Sequence, residues 1–278
     1  MTLLERLATL FPQASRRSVK HWLEAGRVRV NGGVMRDGRA AVAPTDRVEL
    51  GSPAAGFPAG LGLVHEDDQI LVVDKPPGLL TVATERERVR TAYRLVWDYL
   101  TGQHPRQRPF IVHRLDRETG GLLVFAKSVT AKRQLQSQFE ARTVERIYRA
   151  LVEGVVKSDG GTLETRLVQD QSLRVRAARP GSRSRRSGEG GRAAVTHYRV
   201  VERRHDTTLL ELALGTGRRH QIRVQLADLG HPVVGDPLHA TRRGLGGRMC
   251  LHAMRLGFVH PATGRPVSFK SGAPPGWL

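Results

Sequence analysis

Cysteine, lysine and acidic residues are what this 278-residue chain has little of: one Cys, six Lys and 26 Asp plus Glu. A lone Cys250 can neither close an internal disulfide nor by itself hold a zinc ion, so a soluble, reducing, cytoplasmic setting is expected. Long hydrophobic runs are missing too. The longest, Ile70 to Val73 and Leu122 to Ala126, are strand-sized and far short of the roughly 18 residues of a membrane span. Glu5 and Arg6 interrupt the only N-terminal apolar stretch, which argues against a signal peptide. With 39% hydrophobic and 26% charged residues, the chain is neither collagen-like nor wholly disordered. Its length supports one large domain or two unequal ones.

What is abundant is positive charge. Lys plus Arg total 45, the formal net charge is +19, and all but six of the basic residues are arginine. A guanidinium offers a planar fork to phosphates and a face to bases, so a polyanion, most simply RNA or DNA, is the expected partner. Codon bias in a GC-rich genome is an equal explanation for the preference of Arg over Lys, but not for the net charge. A membrane-surface role fits less well, because no basic amphipathic helix carries an aromatic face.

Residues 1–50 read as a separate module. Leu3, Leu4, Leu7, Leu10 and Phe11 recur at helical spacing, Pro12 stops that helix, and Ser15 caps a second one carrying Val19, Trp22 and Leu23. After Gly26, the alternation Arg27-Val28-Arg29-Val30 predicts a strand that runs into an Asn31-Gly32 turn, and Val48 to Leu50 supplies a closing strand. Arg16, Arg17, Lys20, Arg27 and Arg29 form either an RNA grip or a plain solvated face. This order resembles the S-four-like RNA-binding domain, carried by Ser15-Arg16 and Gly26-Arg27-Val28-Arg29-Val30-Asn31-Gly32. The resemblance implies that the helix and strand cations hold RNA phosphates.

Residues 51–61, rich in Gly, Pro and Ala, read as a linker. Residues 62–278 then mix strands and helices. Strands are expected over Gln69 to Val73, Phe110 to Val112, Leu122 to Ala126, Ile147 to Val152, Thr196 to Val201 and Thr208 to Leu214. Helices are expected over Ala92 to Leu100 and Ala131 to Arg142, with an amphipathic segment from Gln221 to Leu229. The fold class is α+β: a mostly antiparallel mixed sheet preceded by the small α/β module. Arg174 to Arg192, with seven arginines and one glutamate, has too little apolar content to offset the entropy of ordering. It is expected to be a mobile loop, either an electrostatic hook for RNA or a tolerated insertion.

The densest constellation is His113-Arg114-Leu115-Asp116-Arg117-Glu118-Thr119-Gly120-Gly121-Leu122-Leu123-Val124-Phe125-Ala126-Lys127. Asp116 falls in a connection between two strands, where a catalytic group is well presented. Arg114 and Arg117 should depress its pKa, favouring a nucleophile or an electrostatic stabiliser over a general acid. On the bare residues an Asp among arginines is more often a structural ion pair, and spacing alone does not decide.

That run is similar to the signature of the RluA family of RNA pseudouridine synthases, and three more segments agree in order. They are Glu66-Asp67-Asp68 with Leu71 to Leu79, including Lys75-Pro76-Pro77-Gly78; Ile147-Tyr148-Arg149-Ala150; and Gly217-Arg218-Arg219-His220-Gln221-Ile222-Arg223-Val224 with Gly230 to Asp236. The resemblance implies the pseudouridine synthase fold and conversion of uridine to pseudouridine in structured RNA, ribosomal rather than transfer RNA, without metal or cofactor; a monomer is the default, since no sustained interface stripe stands out in the sequence. It implies Asp116 as the catalytic aspartate, Tyr148 as the active-site tyrosine, Arg223 as the basic partner pairing with Asp116, and Arg114 as the residue entering the space left by a flipped nucleotide. The chain departs from the family at Arg219, where Thr is usual, at Gln225, where His is usual, at His239, where Tyr is usual, and at Asp74, where Asn is frequent.

Two rival readings remain open on the residues. Asp67, Asp68, Asp74, Asp116 and Asp236 around magnesium would make a metal-dependent nuclease. The basic module and loop alone would make a non-catalytic RNA-binding or ribosome-assembly factor. His220, His231, His252 and His260 with Cys250 lack compact zinc spacing.

Overall fold

The computed structural model describes residues 1–12, 14, 19–20, 22–23, 27–50, 57–58, 60–85, 87–104, 106–170, 174–178, 191–272 and 277. They fall into two compact units, Met1–Pro58 with Leu95–Arg108, and Ala59–Arg94 with Pro109–Leu278. No helix among the described residues is long and apolar enough to cross a membrane.

In the first unit, α1 (Leu3–Leu10) begins at a capping box. The Thr2 hydroxyl accepts from the Glu5 N–H while the Glu5 carboxylate accepts from the Thr2 N–H, satisfying two backbone donors that the helix leaves unpaired. Its apolar face buries Leu3 and Leu7 against Val19, Leu23, Val28 and Val42. Strands β1 (Val28–Val30), β2 (Gly33–Val34) and β3 (Val48–Leu50) form an antiparallel sheet in the order β2-β1-β3. Asn31 and Gly32 sit at φ 52° and 86° between the paired residues Val30 and Gly33. Positive φ at both central residues is what a two-residue hairpin of matching twist requires. Ser15, Arg16, Arg17 and Gly26 lie outside the described residues.

The second unit is built on one sheet of eleven strands, β4 (Gly62–Glu66), β5 (Ile70–Lys75), β6 (Phe110–Ile111), β7 (Gly120–Ala126), β8 (Glu145–Glu153), β9 (Gly160–Gln169), β10 (Val175–Ala177), β11 (Arg192–Arg203), β12 (Thr207–Leu214), β13 (Leu251–Val259) and β14 (Pro266–Lys270). The path runs β10-β9-β11-β12-β8-β13-β7-β5-β4, with β14 added on β13 and β6 on β7. All pairings are antiparallel except one: β7 and β13 run parallel and touch only at Gly120–Gly121 against His252–Ala253. Beyond that point they part. Each takes a new neighbour, Ile111 pairing with Phe125 and Arg255 with Lys270. The space between is filled by a core of Ile70, Val72, Leu122, Val124, Leu135 and Phe258, Leu135 coming from helix α3 (Val129–Glu140). Among the described residues the chain also has helices α2 (Ala92–Gln103), which falls mostly in the first unit, and α4 (Gln221–Asp228).

The divergence point explains the paired glycines. Gly121 has φ 107°, and a Cβ there would lie 2.3 Å from the Ala253 carbonyl oxygen; one at Gly120 would lie 2.8 Å from the His252 ring. Only glycine lets the two backbones meet there. Two expectations change. The interval read as a mobile loop from Arg174 begins as an ordered strand, because Val175–Ala177 pairs with Leu167–Gln169; residues 179–190 lie outside the described residues. The segment expected to be amphipathic is instead buried from Gln221 through Leu226.

Candidate active site

Asp116 sits in a tight turn, the Thr119 N–H donating to its carbonyl at 3.2 Å, immediately before the glycine pair that fixes the start of β7. The turn is clamped on both sides. Upstream, the Thr81 hydroxyl donates to the Leu115 carbonyl at 2.8 Å and accepts from the Leu115 N–H at 3.1 Å. Downstream, the Lys75 ammonium donates to the Arg117 carbonyl at 3.2 Å, as well as to Pro76 and Leu79, and the Gly78 N–H donates to the same Arg117 carbonyl at 2.8 Å. Lys75 is wholly buried. Burial pulls its ammonium down to about 8, against the opposing pull of Glu118, Asp116 and Asp74. The Lys-Pro-Pro-Gly motif therefore acts on the Asp116 turn by backbone hydrogen bonds, a role its sequence does not announce.

The Asp116 side chain, 20% exposed, faces a cleft of about 550 Å³. Strand β8 contributes Tyr148, whose phenol burial pushes up to about 12, with Arg146 opposing and Asp116 adding to the rise. A phenol at that value is a neutral hydrogen-bond donor at physiological pH. Helix α4 contributes Arg223, 4% exposed, and the residue before it contributes His220.

The expected pair of Arg223 with Asp116 lies within ion-pair range, but a second acid takes the hydrogen bonds of the arginine. Arg223 is gripped by Asp236, its Nε and Nη2 donating to the two carboxylate oxygens at 2.8 and 2.6 Å. Its approach to Asp116 is 3.9 Å, too long for a hydrogen bond. Burial alone would raise the Asp236 carboxyl, but hydrogen bonds from Arg223, His239 and the Leu238 N–H hold it down at about 2. The sequence-adjacent cations also go elsewhere: Arg117 donates to the Gly78 carbonyl and lies 3.7 Å from Glu118. Arg114 is exposed on the cleft rim, with no bonded partner among the described residues. The other basic side chain near Asp116 is His220, at 3.9 Å, its pKa lowered by burial so that the ring is neutral, in a left-handed conformation with φ 54° and with its Nδ1 buried and unpartnered.

A buried polar network positions α4. Gln221 accepts from the Thr216 hydroxyl at 2.7 Å and the Arg218 N–H at 3.0 Å, and donates to the Val195 carbonyl at 2.9 Å. Gln225 accepts from Thr196 at 2.6 Å and donates to the Leu163 and Ala194 carbonyls. Every polar atom of the two amides finds a partner, as burial demands, and Arg223 between them is aimed at the cleft. Three of the four family departures thus have structural roles. Gln225 is a network member, His239 bonds Asp236 at 3.0 Å, and Asp74 accepts from the Ser271 hydroxyl. Arg219 is exposed on the cleft.

Lys20 and Arg29 are exposed and Arg27 half-buried in the first unit, with Arg29 donating to the Gly32 carbonyl; Arg16 and Arg17 lie outside the described residues. The aspartates considered for magnesium do not gather. Asp67 bonds His65 and His260, Asp74 bonds Ser271, and Asp236 bonds Arg223. Among the described residues no group of three or more His, Cys, Asp or Glu is placed to hold a metal ion.

With this geometry in view, comparison with known proteins is informative. The family model described as RNA pseudouridylate synthase matches residues 69–228. A Neisseria meningitidis serogroup A protein, "Ribosomal large subunit pseudouridine synthase D", is 36% identical over 291 residues, spanning 96% of this chain and 74% of its own. A Bacillus subtilis protein, "Uncharacterized RNA pseudouridine synthase YlyB", is 35% identical over 270 residues, spanning 94% and 86%. Among solved structures, "Human RNA Pseudouridylate Synthase Domain Containing 4" superposes with a TM-score of 0.62 at 23% identity, over 77% of this chain and 89% of that one. This last likeness speaks to the fold.

Proposed function

The chain belongs to the RNA pseudouridylate synthase family, and from that premise we propose that it isomerises uridine in ribosomal RNA with Asp116 as the catalytic carboxylate. Its enzyme class is RNA pseudouridine synthase. The reaction breaks the ribose C1′–N1 bond, turns the base and joins C1′ to C5, with no net redox change. The observation that carries the assignment is the placement of Asp116: a carboxylate on a doubly clamped turn, open to a cleft, with the Arg223 guanidinium near it but not hydrogen-bonded to it.

In this reading the Asp116 carboxylate assists departure at the anomeric carbon or attacks the sugar or base, as carboxylates do in glycoside chemistry. Arg223 is a positioning residue and nearby positive charge, its direct bonds belonging to Asp236. The Tyr148 phenol, pushed up to about 12 by burial, is neutral at pH 7. It therefore acts as a neutral phenol, stacking on the base and relaying the C5 proton through solvent rather than abstracting it as phenolate. Arg114, exposed at the rim, enters the space vacated when the target nucleotide flips.

The finer assignments follow the same logic. Residues 1–50 form an S-four-like module, 51–61 a linker and 62–278 the catalytic domain. Arg16, Arg17, Lys20, Arg27 and Arg29 contact RNA phosphates, and the protein works as a cytoplasmic monomer. Purified protein is expected to release tritium from C5-tritiated uridine in bulk ribosomal RNA. Asp116→Asn should stay folded, bind RNA and release none. Wild-type protein that is folded and releases no tritium would sink the activity, and a fully active Asp116→Asn would sink the role of the aspartate. Replacing Lys20 and Arg29 together by Gln should raise KM and leave kcat; an unchanged KM would remove the module from RNA recognition.

A further inference from the structure

Arg146 is a cation without a counter-ion. It is 9% exposed, lies on β8 two residues before Tyr148, and lines the same cleft. One terminal nitrogen, Nη2, donates to the Leu214 carbonyl at 3.2 Å. Its Nε is buried with no partner, and no carboxylate pairs with it among the described residues. The guanidinium lies 5.6 Å over the Phe139 ring. Gly217 faces it without a side chain, and a Cβ there would come within 2.6 Å of Nη1.

A buried charge left uncompensated is strongly unfavourable, and in native proteins such groups are paired or bind a ligand. The surroundings favour an anion. The cleft lining holds Arg114, Arg142, Arg146, Arg218, Arg219 and Arg223 against two acids, Asp116 and Glu140. His113, stacked on Phe139 at 4.7 Å, adds no charge of its own, since burial and Arg146 bring it down to about 3. Residues two apart on a strand share a face and stand about 7 Å apart, a span comparable to that from a ribose to its neighbouring phosphates.

We infer that Arg146 is a phosphate-binding residue of the cleft, its guanidinium receiving a phosphodiester oxygen of the RNA within one nucleotide of the uridine placed against Asp116 and Tyr148. The inference rests on the pseudouridine synthase reading of that cleft. Phe139 supports the face of the guanidinium, Leu214 fixes one edge, and Gly217 keeps the remaining edge open. Arginine suits the position because its planar fork matches two phosphate oxygens.

The test uses the full chain and bulk ribosomal RNA. Arg146→Gln keeps a donor for the Leu214 carbonyl but removes the charge. It should raise KM for tritium release roughly tenfold or more, the loss typical of a charge-assisted hydrogen bond, with kcat within about threefold. The slope of log affinity against log salt should fall by about 0.7, the share of one phosphate on a single strand. Arg146→Lys should keep the slope. Gly217→Ala displaces the guanidinium without removing it, and should raise KM at an unchanged melting temperature; it decides the matter if Arg146→Gln does not fold. An unchanged salt slope in both neutralised and displaced variants, or a fall in kcat with KM intact, would overturn the inference and leave Arg146 a brace for Phe139. Inorganic phosphate should compete with RNA on wild-type protein and lose potency on Arg146→Gln; equal potency on both would assign free-phosphate binding to other arginines. Wild-type protein releasing no tritium would fail the cleft reading itself, before Arg146 is reached.

Discussion

Replacing Asp236 by Asn removes one charge from the most buried ion pair of the site and keeps the side-chain shape. Asp236 is fully buried as a side chain and Arg223 is 4% exposed, so the variant strands a guanidinium whose next carboxylate is 3.9 Å away at Asp116. An unpaired buried charge costs about 3–5 kcal/mol. The pKa of Asp236 supports a value near the lower end. It falls from 3.8 to about 2, which at about 1.4 kcal/mol per unit corresponds to about 2 kcal/mol of stability. Because the native pKa is depressed, that contribution is present above pH 4 and is lost as pH falls through 2. For a chain of this size each kcal/mol moves the melting temperature by about 2–4 °C, so Asp236→Asn should melt roughly 10 °C lower at pH 7 by calorimetry. The difference from wild type should shrink below pH 3, where wild-type Asp236 is itself becoming protonated. The freed Arg223 is expected to close on Asp116 and lower kcat in the tritium-release assay. A melting temperature within 2 °C of wild type across this pH range would refute the assignment of Asp236 as the residue that holds Arg223.

Three other outcomes are expected. Lys75→Met leaves the Pro76, Leu79 and Arg117 carbonyls without their shared donor; kcat should drop tenfold or more with KM little changed, and a normal kcat in steady-state assays would show that the Asp116 turn does not need its clamp. Gly121→Ala sets a Cβ 2.3 Å from the Ala253 oxygen at φ 107°; urea unfolding should reveal a loss of about 3 kcal/mol or more, and a loss under 1 kcal/mol would contradict the close approach of β7 and β13. His113, brought down to about 3 by burial and by Arg146, binds its proton far more readily when unfolded. Its contribution to stability is therefore complete above pH 6.5 and erodes as pH falls toward 3, which NMR titration of the ring against urea midpoints would check; a His113 resonance titrating near 6.5 in the folded protein would exclude this.

What could be read from the sequence was local. The position of Asp116 between two strands, the Asn31-Gly32 hairpin, the strand carrying Tyr148 and the break at Pro12 all depend on neighbours a few residues away. What could not be read depends on partners far along the chain. Lys75 meets Arg117, Thr81 meets Leu115 and Gln225 meets Leu163, 42, 34 and 62 residues apart. Strand β13 escaped the pattern because it is central: its burial runs as a block at Leu251–Ala253 and again at Leu256–Phe258 instead of alternating, which is how a strand covered on both faces reads. Helix α4 misled in the opposite sense. Its polar residues suggested a solvent face, yet Gln221, Arg223 and Gln225 are buried and bonded. A sequence signal for Asp236 did exist, in that an arginine expected to be buried needs an acid, and Asp236 is 13 residues from Arg223.

The anchoring of Arg223 by Asp236 decides how the site works. Had this arginine bound Asp116 through two parallel hydrogen bonds, both carboxylate oxygens would be engaged, and attack at a sugar or base would first have to break them. Instead two acids flank one guanidinium in unequal settings. Asp236, sealed from solvent, takes the two short bonds; Asp116, 20% exposed to the cleft, keeps its Oδ2 at 3.9 Å from both Arg223 and His220. In the proposed reaction the carboxylate is thus near positive charge without being bonded to it, and its orientation comes from the backbone clamps at Leu115 and Arg117. Arg223 then acts over a distance that the Asp236 anchor sets, so the two acids are coupled through it. On this account an Asp116→Asn and Asp236→Asn double variant should lose more stability than the two single variants summed: Asp116→Asn leaves Arg223 held by Asp236 and Asp236→Asn leaves it Asp116 to close on, so only the double variant strands it fully, and a strictly additive double-mutant cycle would show that the guanidinium does not link them.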